Sequence, residues 1–194
     1  MNTPAHLIFA AAAFAKPGAP ARTWAALAGG LAPDLSLYLM ATWSLYVMGL
    51  SPNYVFGTLY FSEAWQTVFK IDNSFIIWGA LLAFFWWRKS PVGMIFAASA
   101  LLHLAFDFPL HHDDGRPHFW PLSNWVFESP VSYWDRGHHG AIVGPLEMAA
   151  CVVLLFVLFS RFTSIRSRGV IFAAAAVQLA PVFIWVFVFS DVGV

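Results

Sequence analysis

The sequence predicts an all-α fold: a polytopic membrane helix bundle of five to six helices with a polar pocket near one membrane face. Three observations predict it. Of the 194 residues, 60% are apolar, 18% aromatic and only 10% charged, against the roughly 25% charged that water-soluble domains carry. The apolar residues gather in runs of helical length, divided by short clusters of proline, glycine and basic residues. The ionisable residues inside those runs are few, and all are histidines or carboxylates. The same composition excludes a disordered, coiled-coil or nucleic-acid-binding protein, since each needs charge this chain lacks. Cys151, the one cysteine, lies in an apolar run and reads as a small packing residue, which rules out disulfides and cysteine-based metal sites. With no internal repeat and no Ser/Gly-rich linker, residues 1–194 read as a single integral membrane domain.

A span takes about 20 residues at about 1.5 Å each. The first run, residues 5 to 15, follows an N-terminus without a basic n-region, so it reads as a retained helix that reaches part of the way across. It stops at Lys16-Pro17-Gly18-Ala19-Pro20. The second, residues 23 to 50, is long enough to span but contains Gly29-Gly30-Leu31-Ala32-Pro33-Asp34, where the proline is expected to kink or break the helix. Tyr54 to Lys70 is amphipathic and aromatic, an interfacial segment whose Tyr60 and Trp65 suit the headgroup zone. Residues 73 to 87 form the third run, ending at Arg88-Lys89-Ser90-Pro91, and residues 92 to 108 the fourth. A polar stretch from Pro109 to Gly140 precedes the last two runs, 141 to 160 and 169 to 190. Six of the seven histidines lie in that stretch or just before it.

Basic residues are retained on the cytoplasmic side of a membrane protein. Alternating loops put Lys16, Arg22, Arg88, Lys89, Arg161, Arg166 and Arg168 on one side, seven of the ten, and Lys70, Arg116 and Arg136 on the other. Both termini then point outward. The outer side receives Glu63, Asp72, Asp113, Asp114, Glu128, Asp135 and Asp191, and every histidine falls in the outer half or outer loop.

Asp34, Asp107 and Glu147 remain within spans, where an ionisable group costs about 2.5–3.5 kcal/mol and needs a partner or a purpose. His103 and Asp107, four apart, share a helix face about one turn apart, and His111 continues the row. That spacing lets an imidazole nitrogen and a carboxylate oxygen share one divalent cation, or lets the two simply hydrogen-bond. His6, the Pro33-Asp34 break, His111, His112 and Glu147 reach about the same depth, which adds weight to the cation. His118 alone reads as an ordinary loop histidine. His138 and His139, immediately before the fifth helix, are candidates to reach a metal or a substrate anion. Glu147 has an alternative as the ion-pair partner of Arg116 or Arg136.

These motifs, in this order, resemble the predicted membrane-bound metal-dependent hydrolases of bacteria, the family that includes the LexA-regulated inner-membrane hydrolase. His6 matches its early histidine, Pro33-Asp34 its Pro-Asp after a small-residue helix, and His103 with Asp107 its His-x-x-x-Asp. Trp120-Pro121 matches its Trp-Pro, and Glu147 the glutamate of its next helix, so the resemblance covers residues 1 to about 150. The family's His-Arg-x-x-Thr-His-Ser at the start of the middle helix is absent, and Ile71-Asp72-Asn73-Ser74-Phe75 stands there. Either Asp72 and the extra histidines of the 111 to 139 region replace the missing ligands, or the site is vestigial.

The resemblance implies a reaction class, metal-dependent hydrolysis at the bacterial inner membrane, and no substrate; the division of basic residues turns the site outward, and its place at the bilayer edge suits a lipid-like ester or phosphoester. A divalent ion, Zn²⁺ by ligand type, is expected on His6, Asp34, His103, Asp107 and His111, with His112, His138 and His139 as further candidates. Glu147 or Asp72 is the expected general base or supporting group. The lipid bilayer is the one partner expected, with no nucleic acid. A small transporter or ion-handling protein is the alternative from another class, against which the polar groups crowd one half of the spans. An accessory membrane protein with a vestigial metal site is the third reading.

Overall fold

The computed structural model describes residues 1–184, and all regular structure among them is helical. Eight α-helices run α1 (Thr3–Phe14), α2 (Pro20–Thr42), α3 (Pro52–Tyr54), α4 (Glu63–Asp72), α5 (Phe75–Trp87), α6 (Pro91–Asp107), α7 (Gly140–Arg161) and α8 (Ile165–Ile184). The outer end of the 169 to 190 run and Asp191 lie outside the described residues.

Helix starts follow from local chemistry. Asn2, Ser62, Ser74 and Ser90 each turn a side-chain oxygen onto a free N–H of the first turn, of Ala5, Trp65, Ile77 and Gly93 respectively. Pro20 and Pro91 stand at first helical positions, where the missing donor costs nothing. At the other end of α1, Arg161 from the last turn of α7 donates to the carbonyls of Ala12 and Ala15, at 2.8 and 3.3 Å. That contact ties the two helices together and covers carbonyls that α1 itself cannot satisfy.

The core is built around α2 and α6. Ala25 and Ala26 of α2 pack on Ile95 of α6, and Trp78 of α5 packs on Ala97, Ala100 and Leu104. On the other side α1 meets α7, where Ala5 and Ile8 pack on Cys151, Leu155 and Leu158. Cys151 is fully buried in this apolar cluster, the packing role its sequence context suggested.

One expectation is corrected. Pro33 does not break its helix, because α2 continues through it to Thr42 and on into a wider turn at Trp43–Val47. Gly29 and Gly30 let α6 and α1 press directly against the backbone on either side of the weakened turn: a Cβ at Gly29 would collide with the Phe96 carbonyl, and one at Gly30 would lie 2.9 Å from Ala10 Cβ. Neighbouring helices therefore hold the turn that the proline cannot. Trp65 turns inward rather than toward the surroundings of the helices. It is buried with Phe69, one turn on, against Ala41 and Val55.

The polar stretch between α6 and α7 is an ordered cap. Its backbone returns to the helix ends, with the Ser129 N–H on the His111 carbonyl, the Tyr133 N–H on the Leu110 carbonyl, and the His118 carbonyl accepting from the Phe75 N–H. An aromatic cluster of Phe75, Phe108, His118, Phe119 and Phe127 seats it over the start of α5.

By length and composition α7 alone among the described helices is sufficient to cross a bilayer as one unbroken span, and α4 with α5 passes the same test as a pair bent by 40°. Helices α1 and α6 are apolar but shorter. The close approach at Gly29 gives a direct test. Gly29→Ala should lower stability by about 1–3 kcal/mol or more, as overpacking against backbone does. Gly79→Ala, whose added Cβ meets nothing within 4 Å, should be neutral. Thermal melts of the detergent-solubilised protein compare the two, and equal midpoints would remove the α2–α6 contact from the core.

Candidate metal centre

Asp107 closes the last turn of α6 and is 8% exposed, in a place where an isolated carboxylate is costly. The fold surrounds it with nitrogen. His6 Nε2 lies 2.9 Å from Oδ1, His103 Nε2 3.0 Å from Oδ2 and His111 Nε2 3.5 Å from Oδ1. The amino nitrogen of Met1 lies 2.6 Å from Oδ1. Asp34, carried by α2 immediately after Pro33, adds a second carboxylate 3.6 Å from His103 Nε2. Thr3 of α1 donates to Asp34 Oδ2 at 2.5 Å and lies 2.7 Å from the Tyr38 hydroxyl of α2, which fixes Thr3 and through it the carboxylate.

One hydrogen bond determines what His103 can do. Its Nδ1 lies 2.8 Å from the Gly30 carbonyl, which can only accept, so Nδ1 carries a hydrogen. In the neutral ring Nε2 then holds a lone pair facing two carboxylates. That arrangement is repulsive unless a proton or a cation sits between them.

The distances suit a cation. Two ligands about 2.1 Å from a common ion, at angles of about 90–110°, stand about 3.0–3.4 Å apart. The separations to Asp107 of 2.9, 3.0 and 3.5 Å bracket that range. His6, His103 and Asp107 can each bring one ligand atom within 4.8 Å of the others, and all three residues are buried. The rings of His6 and His103 stack at 3.5 Å and 9°, each with its Nε2 within 3.0 Å of an Asp107 oxygen. His103 on a backbone carbonyl, and His111 with Nδ1 2.9 Å from Asp114 Oδ1, have the outer partners that orient metal-ligating imidazoles.

A cleft of about 300 Å³ opens on the cluster, and Asp34, Asp107, His111, Asp114, Arg116, His118 and Tyr133 line it. Burial opposes a charge on His111, but the carboxylates of Asp107 and Asp114 outweigh it and hold its pKa up at about 9. Burial likewise opposes the charge on Asp114, and His111 more than reverses the effect and draws that carboxyl below its usual range. His118 has no carboxylate in hydrogen-bonding contact, and burial outweighs the more distant Asp107 and pushes it down to about 4.

The structure thus brings together His6, Asp34, His103, Asp107 and His111. Three further candidates are engaged elsewhere. His112 stacks on His138 at 3.5 Å and contacts the Ser129 carbonyl, while His138 is engaged by Asp135 at 2.5 Å. His139 sits in a left-handed turn, φ 68°, at the start of α7. Glu147 and Asp72, like His6 and His103, do not line the cleft, but Glu147 faces the Met1 amine and the Asn2 backbone on the Asp107 side of the cluster. Glu147 is buried in α7 and forms no ion pair with Arg116 or Arg136, because Arg116 is held instead by Gln66 and Tyr60. Asp72 stands at the end of α4, where its backbone carbonyl accepts from Trp78, and Ser74 rather than Asp72 caps α5. Sequence reasoning missed Thr3, Tyr38 and the Gly30 carbonyl. Asp114 carried a signal, since it stands three residues after His111.

No family model, curated protein or solved structure matches this chain.

The charge on His111 is testable without a metal. Its pKa is raised from 6.5 to about 9 in the folded protein, so its contribution to stability is complete below pH 6.5 and is lost as the pH rises through about 9. With chelator present, the thermal midpoint should fall across that window, and His111→Gln should flatten the fall. An undiminished slope in the variant would detach His111 from the two carboxylates.

Proposed function

We propose that the cluster of His6, Asp34, His103, Asp107 and His111 holds a divalent cation, Zn²⁺ by ligand chemistry, in a membrane-embedded hydrolase. The observation that carries this is the His103 side chain, whose Nδ1–H is committed to the Gly30 carbonyl while Nε2 faces Asp107 and Asp34 at 3.0 and 3.6 Å. When bound, such a cation supplies a Lewis acid for a phosphoryl or acyl oxygen and an acidified water as nucleophile. The chain's own residues do the rest. Asp107 and Asp34 provide the negative charge that selects a cation, Gly30 and Asp114 fix the ring orientations of His103 and His111, and the cap from 108 to 139 shields the cleft. The order of motifs, similar to the bacterial membrane-bound hydrolases, supports the same reaction class.

The membrane reading rests on α7, on the apolar helices and on what they leave exposed. Trp24, Tyr46, Trp86, Trp87, Phe156 and Ile165 are each at least 70% exposed, far more large apolar surface than a water-soluble monomer carries. The seven-to-three division of basic residues supports an outward-facing cleft in a bacterial inner membrane, and a lipid-like ester or phosphoester suits a cleft at the bilayer edge. To test the orientation, Asp113→Cys in the exposed part of the cap should react with an impermeant maleimide added to cells whose inner membrane is intact. Reaction only after lysis would reverse the orientation.

A second reading has one observation in its favour. The Met1 amino nitrogen, 2.6 Å from Asp107, gives that carboxylate a counter-charge of its own, as a structural network in an accessory membrane protein would need. Metal content separates the two. The wild type should bind close to one equivalent of Zn²⁺, removable by chelator, and Asp107→Asn, which keeps size and hydrogen bonding but not charge, should fall well below that. His103→Ala should do the same, with no further loss in the double variant, since either change dismantles one site. Retention of metal by both variants would overturn this ligand set, and a wild type that binds none would leave the accessory reading.

A further inference from the structure

We propose that Arg116 and His118 form a recognition site for a phosphate monoester group in its singly protonated form, next to the histidine and carboxylate cluster in the same cleft. The phosphate is either a lipid headgroup or free in solution, and the chemistry that recognises it is common to both.

Arg116 is a cation with neutral company. One guanidinium nitrogen donates to Gln66 Oε1 at 3.2 Å and another to the Tyr60 hydroxyl, while the group lies over the Phe69 and Tyr60 rings at 4.6 and 5.0 Å. Among the described residues no carboxylate comes within ion-pairing distance of it, although Asp107 and Asp114 line the same cleft. A guanidinium has five N–H donors in a rigid fork. Two are used here, both by uncharged groups, and the two aromatic faces hold the plane fixed. The unsatisfied charge and the free edge of the fork suit a tetrahedral oxyanion.

His118 restricts which oxyanion. Its Nδ1 lies 2.7 Å from the Arg116 carbonyl and therefore donates, so Nε2 carries a lone pair. The residue is 4% exposed and lines the cleft, and Nε2 has no hydrogen-bond partner in the protein. Burial keeps the ring neutral at ordinary pH, with its pKa near 4. A cation beside a buried acceptor calls for a ligand that is an anion and also a proton donor. A phosphate monoester, whose second pKa is about 6, offers both. A phosphodiester or a carboxylate has no proton to give at neutral pH.

This inference rests on the metal-centre reading only for what becomes of the bound group, because recognition by Arg116 and His118 requires no cation. The test uses the full chain in detergent, with and without zinc, and measures binding of inorganic phosphate and of dihexanoyl phosphatidate calorimetrically. Both should bind, and dihexanoyl phosphatidylglycerol, a diester, should bind at least about tenfold more weakly than the phosphatidate. Arg116→Gln should weaken the two monoester-type probes by about tenfold or more, and His118→Phe, which keeps the ring but removes the acceptor, should erase the preference over the diester. Tighter binding of phosphatidate than of inorganic phosphate supports a lipid source, and equal binding supports the free ion. Should Arg116→Gln fail to fold, Arg116→Lys keeps the charge without the fork and should still bind less tightly than the wild type. A folded wild type that binds neither probe, or undiminished binding in the Arg116 and His118 variants, overturns the proposal. Metal content of the same samples keeps the two readings apart: Arg116-dependent phosphate binding by a protein that takes up no metal even when zinc is supplied overturns the metal centre alone, and stoichiometric metal without phosphate binding overturns this site alone.

Discussion

A buried carboxylate that must be compensated organises this protein. Asp107 lies at the end of α6 among four nitrogen atoms, from Met1, His6, His103 and His111. Those groups come from the first residues of the chain, from α6 itself and from the cap. Removing one partner of a buried charge typically costs about 3–5 kcal/mol. Satisfying Asp107 therefore requires α1 to lie against α6 and the cap to fold back over the helix ends. The arrangement that neutralises this residue is also the one that assembles the candidate site.

Helix α2 makes the arrangement possible by what it lacks. Gly29 and Gly30 have no side chains, so α6 and α1 approach its backbone closely on both sides. The Gly30 carbonyl accepts from the His103 Nδ1–H through its second lone pair. A single short segment thus provides close packing, an orienting acceptor and, in Asp34, a second anion. Each function depends on the others, because the carbonyl is useful only if α6 is close enough to reach it.

The cleft has two electrostatic characters. Around Asp107 and Asp34 two carboxylates face imidazole nitrogens and suit a cation, while at Arg116 a guanidinium is held by neutral groups and suits an anion. The histidines differ in the same way. His111, between two carboxylates, keeps its proton to about pH 9, whereas His118, buried without a carboxylate partner, gives it up near 4. Neighbouring charge, more than burial, separates these two imidazoles.

By itself the sequence determined the all-helical class, most helix positions and the pairing of His103 with Asp107, because these follow from apolar runs, capping residues and a spacing of four along one helix. It also identified His6, Asp34 and His111 as members of one group. It could not decide whether Pro33 ends a helix, since that depends on the helices packed against Gly29 and Gly30. Nor could it decide where Trp65 faces or which partner Arg116 takes. Those outcomes depend on which surfaces meet, and residues 50 or 100 apart in sequence carry no local record of meeting. The tautomer of His103 is the clearest case. Its donor hydrogen was assigned by a backbone carbonyl 73 residues away, a group every residue possesses and that only tertiary structure can single out.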